Sequence, residues 1–240
     1  CLYLLCLWLS VYRRQIYPCT CIQKEKQLMI RALIFDLDNT LIDRQRAFSE
    51  MLEREFSKVT ADKNLISCMV KDIILWDKNG EVSRDITFQM WKDKYKFNNP
   101  TPEELSASWS NESGKVAYLY PDVRETLTKL KEKYKLAVLS NGNKISQRRK
   151  METINIYDLL DYSLVSGEFH VNKPDPEIYH YVCGQLNLKP EECAYIGDNY
   201  RIDIEGSRNA GLYPVYVSRN GDVHDDVAAI SNIGELLNIF

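Results

Sequence analysis

The chain has 240 residues, of which 45% are hydrophobic, and its formal net charge is −3. This length and composition are those of a globular protein with room for one or two domains. The weak net charge and the lack of a basic stripe with interleaved aromatics argue against nucleic acid or an anionic membrane as a partner.

The first 28 residues differ in composition from the rest. They contain four of the seven cysteines: Cys1, Cys6, Cys19 and Cys21. The apolar run Cys1–Tyr12 is too short to span a bilayer, and arginines follow it, whereas a secretory signal has its basic stretch first. We therefore expect residues 1–28 to be an unstructured leader or to lie upstream of the true start at Met29. A short membrane anchor, or a metal site at Cys19-Thr20-Cys21, is the alternative.

The other cysteines, Cys68, Cys183 and Cys193, are scattered singly along the chain. This pattern is typical of buried free thiols in a reducing compartment. We therefore predict three buried thiols and a cytoplasmic location.

The first predicted strand is the apolar run Met29–Phe35, which is of the kind buried on both faces. It ends abruptly at Asp36-Leu37-Asp38-Asn39-Thr40. Buried carboxylates are costly unless they are paired. Two of them at a strand end indicate a cation site, a proton-transfer role, or both.

A helical block without a convincing strand follows. Its four predicted helices are Arg44–Val59, Asp62–Trp76, Ser83–Phe97 and Glu103–Tyr118. Asn79-Gly80 is a turn pair, and Thr101-Pro102 has the pattern of a helix start. The aromatic side chains of the block, Trp76, Phe88, Trp91, Tyr95 and Trp109, are predicted to pack a small helical bundle; facing a substrate cleft is the alternative.

From Pro121 onward, helices and strands alternate. The predicted strands are Lys135–Leu139, Tyr162–Val165, Cys193–Ile196 and Tyr213–Val217. The predicted helices are Pro121–Lys133, Lys144–Ile154, Pro176–Leu188, Ile202–Ala210 and Gly234–Ile239. This alternation predicts an α/β fold with a doubly wound parallel sheet. We expect this core to comprise residues 29–42 and 121–240, with residues 43–120 inserted as a separate helical domain.

Polar clusters follow three of the predicted strands, and a fourth precedes a helix. They are Asp36 with Asp38, Ser140-Asn141-Gly142, Lys173-Pro174, and Gly197-Asp198 with Asp203. In parallel sheets, ligands bind beyond the carboxyl ends of the strands. Carboxylates, a hydroxyl, backbone amides and one ammonium would then share a site suited to Mg²⁺ and a phosphate group.

The order and spacing of these four motifs resemble the haloacid dehalogenase-like (HAD) hydrolase superfamily over essentially residues 29–240. The helical block resembles the alpha-helical cap of its subfamily I members. The resemblance implies a Rossmann-like catalytic core, a cap at residues 43–120, and Mg²⁺ as the cofactor.

The resemblance also implies roles for the residues of the first motif. Asp36 would attack phosphorus and bind Mg²⁺. Asp38 would protonate the leaving oxygen, then activate water against an aspartyl-phosphate, and would touch the metal only through its backbone carbonyl. Thr40 would support the Asp38 loop and so belongs with the phosphate-binding residues.

The other motifs complete the implied site. Ser140 and the amide of Asn141 would hold a phosphate oxygen, and Lys173 would neutralise Asp36 and the phosphate. Asp198 would be a metal ligand, and Asp203 a more distant or water-mediated one. Taken singly, each has a plainer interpretation as a turn residue, a solvated lysine or a helix-start acid.

Asp38 favours phosphate esters, because an alkoxide leaving group needs an acid and a halide does not. The predicted function is a Mg²⁺-dependent phosphomonoesterase acting on a nucleoside 5′-monophosphate or a sugar phosphate, as a monomer or homodimer. A phosphomutase, or a non-catalytic binding protein, is the alternative.

Candidate specificity residues lie outside the motifs. They are Asp43, Arg44 and Arg46 after the first motif, and Tyr200 and Arg201 near the last. Trp76-Asp77-Lys78-Asn79-Gly80 also resembles a cap segment of the nucleotidase branch. For Asp43, Arg44 and Arg46, a solvated helix face is the alternative.

Overall fold

The computed structural model describes residues 30–219, 221–222 and 224–240. The expectations for residues 1–28 and for Met29 therefore lie outside the described residues. No helix within the described ranges is both long enough and apolar enough to cross a membrane.

Six parallel strands form one sheet in the order β3-β2-β1-β4-β5-β6. Their bounds are β1 Ala32–Phe35, β2 Lys135–Ser140, β3 Tyr162–Val165, β4 Cys193–Gly197, β5 Tyr213–Val217 and β6 Ala228–Ile230. Strand β1 lies between β2 and β4, so that Leu33 is in register with Leu136 on one side and with Ala194 on the other. The doubly wound parallel sheet predicted from the sequence is confirmed.

The helices fall into two groups. Four lie between β1 and β2 and are α1 Arg44–Phe56, α2 Lys63–Asp77, α3 Arg84–Tyr95 and α4 Pro102–Glu112. The others are α5 Val123–Leu130, α6 Lys144–Thr153, α7 Pro176–Gln185, α8 Gly206–Asn209 and α9 Leu236–Ile239. A π-helical segment, Tyr200–Glu205, precedes α8.

Alternation along the short central strand supplies both faces of the sheet with apolar side chains. Leu33 and Phe35 pack into a core with α5 and α6, and Ala32 and Ile34 pack into a second core with α7. A third apolar cluster lies wholly within α1–α4 and includes Trp91. We call residues 43–120 the helical insert, because their helices have this cluster of their own.

The aromatic residues of the helical insert pack as the sequence predicted. Phe88, Trp91 and Trp109 are buried, and Trp76 and Tyr95 pack against them. Trp91 stacks on Phe56 with ring centroids 5.0 Å apart. Trp109 also lines the cleft described below, so the alternative, an aromatic side chain that faces a substrate cleft, applies to this residue as well.

The chain enters and leaves the helical insert side by side. The backbone N–H of Asp43 donates to the carbonyl of Tyr118 at 2.8 Å, and the N–H of Tyr120 donates to the carbonyl of Leu41 at 3.0 Å. Ile42 and Leu119 form an antiparallel bridge between these hydrogen bonds.

Two expectations about local structure were wrong, and one strand was not predicted. The helix predicted to reach Tyr118 ends at Glu112, because Ser113 leaves helical geometry and Gly114 has φ +87°. A Cβ at Gly114 would lie 2.7 Å from the Ser146 carbonyl oxygen, so the helical insert approaches α6 closely here. Strand β6 was missed because three residues carry no readable period. Cys68 is exposed, whereas Cys183 and Cys193 are buried as predicted.

Candidate active site

The carboxyl ends of β1, β2 and β4 form one wall of a cleft of about 700 Å³, and the helical insert forms the other. We call these the core wall and the insert wall. The predicted site residues that line this cleft are Asp36, Asp38, Ser140, Asn141, Lys173, Asp198 and Asp203. The structure therefore brings the four motifs together at the strand ends, where ligands bind in doubly wound folds.

Three carboxylates of the core wall form a cluster. Asp36, Asp198 and Asp203 each offer an oxygen, and these oxygens lie within 4.8 Å of one another. Burial raises the pKa of Asp36 to about 7, and burial together with the charges of Asp36 and Asp203 raises the pKa of Asp198 well above its usual value. Carboxylate oxygens are the ligands that Mg²⁺ prefers, and a divalent cation would offset this concentrated negative charge, so the donor set fits Mg²⁺.

Lys173 is buried behind this cluster. Its ammonium donates to Asp36 at 2.7 Å, to Asp203 at 2.8 Å and to the hydroxyl of Tyr195 at 2.7 Å. All three N–H donors are thus satisfied. Burial lowers the pKa of Lys173, but the charges of Asp203 and Asp36 outweigh burial and raise it. The residue is therefore a fixed positive charge.

The carboxylate of Asp38 points away from the cluster, onto helix α6. Lys150 donates to its two oxygens at 2.7 and 2.8 Å, and Gln147 donates to one of them at 2.9 Å. Burial raises the pKa of Asp38, but the charges of Lys150 and Arg44 and these hydrogen bonds outweigh burial and lower it. The surroundings of the two aspartates of the first motif thus shift their pKa values in opposite directions, upward for Asp36 and downward for Asp38.

Ser140 and Asn141 join the strand end to the lysine loop. The hydroxyl of Ser140 accepts a hydrogen bond from Gln147 at 2.7 Å. The side-chain amide of Asn141 donates to the carbonyl of Lys173 and accepts from its N–H, both at 2.9 Å. This reciprocal pair fixes the Lys173 backbone against β2.

Thr40 and Asn199 support the Asp198 loop. Thr40 does not line the cleft, and its hydroxyl donates to Asp198 at 3.3 Å. Asn199 caps the π-helical segment by accepting from the N–H of Ile202, and its amide donates to Glu81 of the helical insert at 2.5 Å. Asn199 is thus a direct contact between the two walls.

Gly197, the last residue of β4, lies directly against a carboxylate of the cluster. A Cβ at this position would overlap the side chain of Asp203. The motif therefore needs glycine here because Asp203 approaches the strand so closely.

The insert wall carries arginines. Arg44 is buried and pairs with buried Asp77 at 2.8 Å. Arg84, in the first turn of α3, lies over Trp109 with its guanidinium carbon 5.0 Å from the ring centroid. Asn79 and Gly80 of the segment compared with nucleotidases also line the cleft.

The remaining candidate specificity residues lie away from the cleft lining. Asp43 is the N-cap of α1, and exposed Arg46 pairs with Glu50. Tyr200 donates to Asp226 at 2.6 Å, and Arg201 is exposed. For these four residues the structure favours the plainer interpretation as capping and surface groups.

Sequence reasoning missed Gln147, Lys150, Tyr195 and Arg84. Gln147 and Lys150 lie three residues apart on one face of the basic helix after the Ser140 motif, and that spacing was the available signal. Tyr195 lies in the middle of an apolar strand, and no sequence signal marked its hydroxyl as part of the site. Arg84 follows the helix cap Ser83 directly, which is an unfavourable place for a cation.

A doubly wound parallel sheet with an aspartate pair, a serine and an acidic loop at its strand ends, joined there by a loop lysine, has the architecture of a HAD-type hydrolase. The chain belongs to the haloacid dehalogenase-like hydrolase family, whose model matches residues 33–217.

Several curated proteins and solved structures are similar to this chain. Human N-acylneuraminate-9-phosphatase is 29% identical over 213 residues, covering 81% of this chain and 85% of the relative. Glyceraldehyde 3-phosphate phosphatase from Methanopyrus kandleri is 29% identical over 203 residues, covering 80% of this chain and 85% of the relative. The magnesium-bound HAD hydrolase YfnB from Bacillus subtilis superposes with a TM-score of 0.74 at 19% identity, covering 88% of this chain and 98% of YfnB.

Proposed function

We propose that the protein is a Mg²⁺-dependent phosphatase that hydrolyses a small phosphorylated metabolite through an aspartyl-phosphate on Asp36. The observation that carries this proposal is that the two aspartates at one strand end have different environments. Asp36 lies in the carboxylate cluster beside Lys173, whereas Asp38 is held off that cluster by Lys150 and Gln147. The matches to two phosphatases agree with it.

Asp36 is the nucleophile in this proposal. Its carboxylate attacks phosphorus, the ester oxygen leaves, and the phosphoryl group is carried on Asp36 until water releases it. Lys173, which donates to Asp36, holds the nucleophile in place and adds a positive charge beside the transferring oxygens. Ser140 and the backbone amide of Asn141 bind one phosphate oxygen.

Asp38 moves the protons. It protonates the leaving oxygen in the first half-reaction and removes a proton from the attacking water in the second. Lys150 favours the ionised form, which suits the base role. The negative charge of an incoming phosphate group raises the pKa of Asp38 and so favours the protonated form that the first half-reaction needs.

Asp36 and Asp198 would hold Mg²⁺ together with the backbone carbonyl of Asp38. Asp203 would support this site less directly, through its ion pair with Lys173 and the hydrogen bond that it accepts from the N–H of Asn199. When bound, the ion supplies positive charge to the phosphoryl oxygens.

Thr40 supports Asp198, and the helical insert is the cap of the cleft. A cytoplasmic location stays an expectation from the cysteine pattern.

Release of inorganic phosphate from p-nitrophenyl phosphate in Mg²⁺ tests the proposal. We expect Asp36→Asn to lower kcat at least about 10³-fold and excess EDTA to abolish turnover. Asp93→Asn, an exposed aspartate of the helical insert, is the matched control and should retain wild-type rates. Turnover that survives Asp36→Asn or EDTA would contradict the mechanism, and isomerisation of a sugar phosphate without phosphate release would indicate a mutase.

A further inference from the structure

We propose that Arg84 forms a second anion-binding subsite on the insert wall, so that the substrate is a phosphate monoester that also carries a carboxylate. This inference rests on the proposed function and narrows its substrate class. It is carried by the position of Arg84 in the cleft and by the lack of a carboxylate partner for its guanidinium.

Arg84 has no carboxylate partner among the residues that the structure describes. Its Nε is buried without a hydrogen-bond partner, although buried polar groups are nearly always bonded. Two other cations at the cleft have carboxylate partners: Arg44 pairs with Asp77, although its Nη2 also lacks a hydrogen bond, and Lys150 pairs with Asp38. Arg149 has no carboxylate partner among the described residues, but it donates to the backbone carbonyl of Ser113. An unpaired, half-buried guanidinium in a substrate cleft has the chemistry to bind an anion from that cleft.

The local structure makes the charge of Arg84 unfavourable in the absence of such a ligand. It is the first residue of α3, after the N-cap Ser83, so its cation adds to the positive end of the helix dipole. Burial and the neighbouring charge of Arg44 lower the pKa of Arg84, and the charges of three aspartates oppose this shift without outweighing it. Residues that break a local rule of this kind are concentrated at functional sites.

The surroundings fix how the guanidinium lies. Arg84 is placed over the ring of Trp109, 5.0 Å from its centroid, and Trp109 itself lines the cleft. A guanidinium that lies over an indole ring can still donate from the edge of its own plane to a planar acceptor. A carboxylate has that shape.

The charge balance favours one extra negative charge on the substrate. The phosphate group is served by Lys173 and the cation site of the core wall. Arg84 would then neutralise a single carboxylate elsewhere on the molecule. A nucleoside monophosphate or a neutral sugar phosphate carries no such group and would leave Arg84 buried and unpaired.

The test uses substrate pairs that differ only in the proposed group. Gluconate 6-phosphate and glucitol 6-phosphate differ only at C1, as do 3-phosphoglycerate and glycerol 3-phosphate. We expect wild-type kcat/KM to favour the acid about 10- to 100-fold in at least one pair, the value of a charge-assisted hydrogen bond to a carboxylate. In Arg84→Met the acid-to-alcohol ratio should fall to near 1, and Arg84→Lys should keep part of it.

The matched control is Arg54→Met, an exposed arginine of the helical insert that lies outside the cleft lining, which should keep the wild-type ratio. A ratio near or below 1 for both pairs in the wild type would overturn the subsite, as would a high ratio unchanged by Arg84→Met. Failure of the proposed function is a separate result: no phosphate release from p-nitrophenyl phosphate or any other ester. In that case, calorimetric binding of the acid and alcohol phosphates to the wild type and Arg84→Met still decides the subsite.

Discussion

The two walls of the cleft handle charge in different ways. On the core wall, Lys173 and Asp38 are each held by two or more partners at 2.7–2.9 Å. On the insert wall, Arg44 is paired but Arg84 is left without a carboxylate among the described residues. Rigid, saturated networks suit a reaction that is the same for every substrate, and an unsaturated cation suits recognition of one particular substrate. Under the two proposals above, the chemistry lies on the core wall and the selectivity on the insert wall.

The largest expected effect that tests this division is on the core wall. We expect Asp38→Asn to lower the steady-state rate about 10²- to 10⁴-fold, the usual contribution of a general acid and base. With p-nitrophenyl phosphate, a good leaving group, stopped-flow absorbance should show a burst near one equivalent, because the second half-reaction is the slower one. The acid-to-alcohol ratio should be that of the wild type, and a changed ratio would contradict the separation of the walls.

The next largest effect is expected for Lys173→Met, as a loss of unfolding free energy. The substitution leaves Asp36 and Asp203 buried without their cation, and breaking such a pair costs about 3–5 kcal/mol. Urea unfolding followed by circular dichroism measures the loss. Lys94→Met removes an exposed pair with Asp72 and should cost less than about 1 kcal/mol; equal losses would show that the buried network is not special.

The two arginines of the insert wall should differ in the same measurement. Arg44→Met strands Asp77, which is only 1% exposed, and should cost about 3 kcal/mol of unfolding free energy. Arg84→Met breaks no ion pair. It removes a repulsion with Arg44 together with opposing attractions to nearby aspartates, so the free energy should stay within about 1 kcal/mol of the wild type. A large loss in Arg84→Met would give that residue a structural role instead.

The carboxylate cluster should make Mg²⁺ stabilisation depend on pH. Burial raises the pKa of Asp36 to about 7 from an ordinary value of 3.8, so folding favours the protonated carboxyl. Its stabilising contribution is complete below pH 3.8 and is lost as pH rises through about 7. Mg²⁺ competes with that proton and should stabilise the protein more at pH 8 than at pH 6, by about 1–3 kcal/mol at saturating ion. Thermal unfolding with and without Mg²⁺ measures the difference, and Asp198→Asn should reduce it.

The fold and the core wall could be predicted because their signals are local in the sequence. The run before Asp36 and the residues Ser140, Lys173 and Asp198 each stand where a strand ends or a helix begins, and a parallel sheet forces strand ends together. The same reasoning misplaced the end of α4, since the close approach of Gly114 to α6 is a tertiary effect.

The insert wall could not be predicted in this way. Arg44 and Arg84 are forty residues apart, and nothing in their spacing shows that they meet over Trp109. Asp43 and Arg46, which looked equivalent to Arg44, face elsewhere because successive helix positions point in different directions. Side chains brought together by helix packing have no period of their own to read.

The paired crossings at Asp43–Tyr118 and Leu41–Tyr120 give the helical insert the architecture of an exchangeable module. Its two ends leave the core as neighbouring strands of a ribbon, so the chain enters and leaves the core at the same place, whatever the length or helix content beyond it. Insertions between such adjacent ends do not stretch or reorder the sheet. A short turn joining Ile42 to Leu119, or the insert of another family member, could be grafted there while β1 keeps its place between β2 and β4. Substrate choice can then diversify by replacement of whole segments without redesign of the reaction centre.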